Sequence, residues 1–225
     1  IMPALVTNSK IWGEMFGTEE MHKLFSDEET ILFYLNVEAA LARSQSSLGI
    51  IPKEAGAKIT EACKLDIIDW KKLEKRTSIV GYPILPLVEQ LSGAVKDGYG
   101  QYCHWGATTQ DIMDTADVLQ IRKGLEFLTS DLNGIADALV KIIRDHLRTP
   151  MAGRTHLQHA LPVSFGYKAS TWLSGIDRHL ERLEEIKSRV FYLSFFGAAG
   201  TLASLGEENG LKTQNALAKE LDLNV

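Results

Sequence analysis

Basic clusters, long apolar runs and cysteines are all scarce in this sequence, and each scarcity argues against something. The chain carries 24 Lys and Arg against 29 Asp and Glu, for a net charge of −5, and its cations form no block. That balance speaks against nucleic acid and against an anionic membrane surface as partners. No apolar run reaches membrane-spanning length, and no signal-peptide pattern is present. The two cysteines, Cys63 and Cys103, lack metal-ligand spacing and imply no disulfide framework, so they read as buried, inert thiols of a reduced, cytoplasmic protein. No strand-length alternation, internal repeat or low-complexity segment occurs.

What is present is helical periodicity, in a chain of 225 residues that is 45% hydrophobic and can bury a real core. The stretch "SDEETILFYLNVEAALARSQSSLGIIP" opens with a capping box, Ser26 and Glu29, repeats apolar residues at Leu32, Leu35, Ala39 and Ala42, and stops at Gly49 and Pro52. Shorter helices are expected over 53–63, 69–76 and 87–97. "DGYGQYCHWGATTQ" reads as loop. After Asp111 the stripes lengthen: Val118, Ile121, Leu125 and Leu128 form one, and Leu132 to Leu147 a second after the cap-like Ser130-Asp131. Pro150 ends that helix. A further helix from about Pro162 to Phe191 spans roughly 45 Å at about 1.5 Å per residue, and a last one covers 211–221. The fold class is therefore all-α: a short-helix N-terminal domain, 1–105, followed by part of a long central helical bundle, 106–225, of a kind shared between subunits.

Two polar stretches interrupt this pattern. "HWGATTQDIMDTA", residues 104–116, runs from loop into helix. Such a junction offers free N–H groups and a positive dipole end to an anion, and Thr108, Thr109 and Gln110 add side-chain donors. A plain cap built by Thr108 and Asp111 accounts for the same residues, and the two readings are compatible. "GRTHLQHALPVSFG", residues 153–166, gathers Thr155, His156, Gln158 and His159 in a loop before a helix. Metal ligation fits poorly because no third ligand has the spacing. Packing and acid/base use stay open for His156 and His159, and equally for His104. Arg154 is expected to brace the loop. His22, His146 and His179 fall in helical patterns. "GAAGT", 197–201, follows no strand, so it is a turn or a close-packing segment, not a dinucleotide loop.

Taken in order, "HWGATTQDIMDTA", "GRTHLQHALPVSFG" and "FGAAGTLASLG" resemble the fumarase/aspartase superfamily, and "LFSDEETILFYLNVEAALARSQSSLGIIP" is similar too. The nearest branches are the 3-carboxy-cis,cis-muconate lactonizing enzymes (cycloisomerases) and the adenylosuccinate lyases. The resemblance implies a helical homotetramer with active sites shared between subunits, no cofactor, and a small polycarboxylate substrate. Its chemistry is proton transfer α to a carboxylate with β-elimination or addition, whose second negative charge must be met by preorganised donors. By resemblance Thr108, Thr109 and Gln110 meet that charge. His156 is the acid/base or its helper, and Gln158 holds a carboxyl or amide. His104 lies at the site edge, and Thr155 and His159 flank the substrate.

The chain departs from the family pattern in places. The region 76–91, "RTSIVGYPILPLVEQL", lacks the histidine of the adenylosuccinate lyases and is closer to the muconate branch. His156 stands where many bacterial muconate enzymes carry a bulky residue of another kind. The serine loop of pattern G-S-S-x-M-P-x-K and the C-terminal helical domain are expected beyond Val225, which makes this chain a fragment expected to be inactive alone. The leading expectation is a cycloisomerase-like enzyme. The alternatives are a C–N lyase that releases fumarate and a non-catalytic helical assembly module.

Overall fold

The computed structural model describes residues 7, 9 and 11–225. Its helices are α1 (Glu19–Leu24), α2 (Asp27–Ser47), α3 (Lys53–Ala62), α4 (Trp70–Val80), α5 (Ile84–Ala94), α6 (Thr109–Asp145), α7 (Phe165–Val190) and α8 (Glu207–Leu221). Between α6 and α7 stands a two-stranded antiparallel sheet, β1 (Pro150–Thr155) and β2 (Gln158–Ser164). The chain groups into two compact units. One comprises the described residues up to Arg122 with Phe191–Val225, and the other is Lys123–Val190.

In the first unit α2 is the central element. Ser26 caps it, its hydroxyl accepting the Glu29 N–H at 3.3 Å. The return half of the expected box does not form, because the Ser26 N–H donates to the Lys23 carbonyl at 3.0 Å. Leu35, Val37, Ala40 and Leu41 are fully buried, and α3, α5, α6 and α8 bring Ile59, Leu87, Leu91, Ile112 and Leu217 to the same core. Gly56 permits the close approach of α3 to α2: a Cβ there would lie 2.2 Å from the Ser46 Oγ. Cys103 belongs to this core, and Cys63 packs against it. Burial pushes the thiol of Cys63 up to about 12 and that of Cys103 up to about 11.

Helix α4 runs on to Val80 rather than 76, and α8 starts at Glu207 rather than 211; three further differences from the sequence reading have a plain physical cause. Helix α5 starts at Ile84, not 87, because Pro86 falls in its first turn, where a helix needs no N–H from that residue. Helix α6 runs unbroken for 37 residues. Ser130 and Asp131 lie on its exposed side, where their low propensity costs only a few tenths of a kcal/mol, too little to end a helix. The third difference is the sheet, which occupies most of the stretch read as loop.

In the second unit β1 and β2 pair from Pro150↔Ser164 to Thr155↔Gln158, with an irregularity between Ala152 and Arg154. The extra residue lies in β2, where Ala160 and Leu161 together oppose Gly153 of β1, and a Cβ on Gly153 would lie 2.5 Å from the Leu161 carbonyl oxygen. The strands are mostly exposed and carry no apolar alternation, so the periodicity that reveals half-buried strands is missing. Gly166 opens α7 tightly against the end of α6, its N–H donating to the His146 carbonyl at 2.9 Å. His146 packs edge-on against Phe165 at 5.2 Å. Both long helices, α6 and α7, follow residue 105. No described helix is long and apolar enough to cross a membrane.

Two measurements check this core. Replacing Asp111 by alanine leaves three N–H donors around it unmet (Phe196, Gly197 and Thr108). At about 1–3 kcal/mol for each buried group left unsatisfied, the full-length protein should lose roughly 3 kcal/mol or more in a urea melt. Lys212→Ala, which removes an exposed ion pair with Glu208, should change stability by less than about 1 kcal/mol. The raised thiols should resist iodoacetamide at pH 8 in the folded protein and label readily in denaturant; rapid native labelling at Cys103 would contradict its burial.

Candidate active site

The segment from Cys103 to Asp111 is short and strained. His104 has φ +58 and Gly106 φ +76. The Ala107 N–H closes a turn on the His104 carbonyl at 3.2 Å. A Cβ at Gly106 would strike the Leu205 side chain at 2.5 Å, so only glycine fits both the angle and the space. Gln45, buried on α2, pins the Trp105 carbonyl through its Nε2 at 2.7 Å.

Asp111 lies in the first turn of α6 and is 3% exposed. Its Oδ2 accepts the Thr108 N–H at 3.0 Å, which is the expected cap. The same carboxylate also accepts the N–H of Phe196 on Oδ1 at 2.8 Å and of Gly197 on Oδ2 at 2.9 Å. One turn on, Thr115 accepts the Ser194 N–H at 3.2 Å and donates to its carbonyl at 2.9 Å, and Gln214 of α8 donates to the Phe195 carbonyl at 3.0 Å. The segment 194–197 is thus stitched along the start of α6. Gly197 and Gly200 sit at φ +71 and +74 in a turn, consistent with a close-packing role.

This arrangement leaves the first turn of α6 open. The three N–H groups that Asp111 takes belong to residues outside that turn, so its own leading N–H groups keep no helical acceptor. Thr108 and Thr109 are half-buried beside them. Gln110 is exposed and donates to Asp114, one turn along the helix. Hydroxyls, a side-chain amide and a positive helix end together can receive a carboxylate.

His104 lies beside this end. Its Nδ1 meets the Glu38 Oε1 at 2.6 Å, and Glu38 is 1% exposed. Burial alone would lower the imidazole pKa. The charge and hydrogen bond of Glu38, with the charge of Asp111 added, outweigh it and hold the ring above the ordinary 6.5. Neither Glu38 nor the clamping role of Asp111 was visible to sequence reasoning. A signal for Glu38 existed, since it is the single charged residue between Glu29 and Arg43, within an otherwise apolar helix.

The other expected residues lie in the second unit. Thr155 and Gln158 form the last pair of the hairpin, and His156 and Leu157 are its two-residue turn. Leu157 is 92% exposed at φ +56. The exposed side chains of Thr155, His156, Gln158 and His159 bond no other group among the described residues. His159 pairs across the strands with Arg154. The exposed side chain of Arg154, expected to brace this loop, makes no hydrogen bond or ion pair among the described residues. It lines a cavity of about 410 Å³ with Lys168 and Tyr167.

The lyase family model matches residues 6–225. A trans-aconitate decarboxylase of Mycosarcoma maydis is 46% identical over 99% of this chain and 45% of its own length. A 3-carboxy-cis,cis-muconate cycloisomerase of Pseudomonas aeruginosa is 40% identical over 97% of this chain and 48% of its own. The crystal structure of a fumarate lyase from Mesorhizobium sp. BNC1 is 55% identical and superposes with a TM-score of 0.89, over 93% of this chain and 49% of that one. The chain spans about half the length of these relatives. With the match running along nearly all of its residues, and with the helical fold agreeing, the chain belongs to the lyase family of the fumarase/aspartase superfamily.

Proposed function

We propose that the whole protein acts on a small, unsaturated tricarboxylate in the manner of a 3-carboxy-cis,cis-muconate cycloisomerase, by proton transfer α to a carboxylate. The observation that carries this reading is the open first turn of α6, with Thr108, Thr109 and Gln110 around it. Charge that builds on the substrate carboxylate during proton transfer meets fixed donors there. His104 borders the seat. His156 takes or gives the proton, Gln158 holds a second carboxyl, and Thr155 and His159 flank it. The sites are shared between subunits of a homotetramer, which brings the two groups of residues together from different chains. No cofactor enters the reaction.

Two relatives support the substrate class by name, since trans-aconitate and 3-carboxy-cis,cis-muconate are both compact unsaturated tricarboxylates. The region 76–91 supports it by what it offers. Ile79 and Leu85 are exposed, and the one cation in the stretch, Arg76, is paired with Glu89 at 2.6 Å. A nucleotide phosphate finds no free positive partner there.

An ultraviolet assay of the full-length enzyme on carboxymuconate, trans-aconitate and adenylosuccinate tests the substrate class. Turnover of a tricarboxylate is expected, with poor turnover of adenylosuccinate. A kcat/KM for adenylosuccinate in the usual range of about 10⁴–10⁸ M⁻¹s⁻¹, with none for either tricarboxylate, overturns it in favour of a C–N lyase. Site variants test the roles. His156→Ala should lower kcat by about 10²–10⁴. Thr109→Val should weaken substrate binding by roughly 1.5–3 kcal/mol, the worth of a hydrogen bond to a charged group. Unchanged binding with lowered thermal stability would leave this stretch with a capping role alone.

A further inference from the structure

The pair formed by Glu38 and His104 holds more charge than packing requires. Glu38 Oε1 is taken by the ring, while Oε2 is buried with no hydrogen-bond partner among the described residues. A buried carboxylate with a bare oxygen needs a compensating positive charge. The groups around it narrow the source. Asp111, from α6, is a second carboxylate near the ring. Cys63, at the end of α3, and Cys103, just before the histidine, feel Glu38 and are kept neutral by burial. Arg43, which reaches the Cys63 neighbourhood, is engaged with Glu220 at 2.7 Å and Thr60 at 3.3 Å. The imidazole is the remaining candidate.

With Nδ1 committed to Glu38, Nε2 is the ring atom left for another partner. The ring is not sealed, since its side chain keeps 20% exposure. It is also held on a left-handed backbone, φ +58, which a residue other than glycine adopts only where the surroundings enforce it. Four residues later the hydroxyls of Thr108 and Thr109 begin.

We propose that Glu38 is a positioning residue that holds His104 as a fixed cationic donor, its Nε2–H directed to the carboxylate bound at the start of α6. This deepens the function proposed above and rests on that seat. His104 thereby supplies binding charge, and the proton transfer is left to His156. The charge of Glu38 raises the pH at which the ring deprotonates, so binding helped by His104 is present at low pH and lost as pH rises through that raised value. Without Glu38 the loss comes at lower pH.

The test follows the His104 ring by nitrogen-15 NMR, and the affinity for tricarballylate (a saturated tricarboxylate that cannot turn over), as functions of pH. It uses full-length wild type and Glu38→Gln. Both midpoints should move to lower pH in the variant; for each pH unit of movement, affinity between the midpoints falls by up to about tenfold. Should Glu38→Gln fail to fold, the double variant Glu38→Gln/His104→Gln keeps a neutral hydrogen bond, and its tricarballylate affinity should lose this pH dependence. An unmoved His104 midpoint overturns the proposal, as does a ring midpoint that moves while tricarballylate affinity does not follow. Wild type that binds no tricarballylate at any pH removes the seat itself, a failure the ring titration separates from a failure of the pair.

Discussion

The Asp111 carboxylate is the contact on which the start of α6 depends. It is buried, yet its two oxygens receive three backbone N–H groups, from Thr108, Phe196 and Gly197. Those donors come from chain segments about 85 residues apart in sequence. A charge placed there without them would be prohibitive, and the loops without the charge would have no common anchor. One side chain thus caps a helix, fixes the loop before it and holds the Gly/Ala segment alongside.

Around that anchor polar side chains take over work that apolar packing does elsewhere. Gln45, Thr115 and Gln214 each bind a loop carbonyl from within the core, and Gln120 binds the Leu24 carbonyl at 2.9 Å. Buried amides of this kind specify geometry more sharply than hydrophobic contact, because a displaced carbonyl leaves an unsatisfied donor behind. The rigidity suits the proposed carboxylate seat, whose donors must stand ready before charge develops.

Much of this was legible in the sequence. The helix after Ser26 was marked by its cap and its stops, and the three motifs named the superfamily and the long helices of its fold. The joint use of Thr108 and Asp111 at a helix start was visible as well. What escaped notice had specific causes. The break expected at Ser130-Asp131 gave too much weight to local propensity, which is worth tenths of a kcal/mol against a 37-residue helix. The hairpin was hidden because its strands bury no face. Glu38 was hidden because its partner lies 66 residues away, on a segment read as loop. Periodicity reports which face of an element is buried, and it is silent about polar groups that meet across the chain.

The bulge opposite Gly153 bears on which changes this hairpin can absorb. Side chains alternate faces along a strand, so one residue more or fewer before Arg154 would exchange the two faces of everything up to the turn. The exposed residues at the tip make few contacts that resist substitution, and their identities can drift at little cost to folding. The count of residues between Pro150 and His156 has no such freedom. Retuning this turn therefore takes an exchange of side chains, since an inserted or deleted residue would shift the register of the strands.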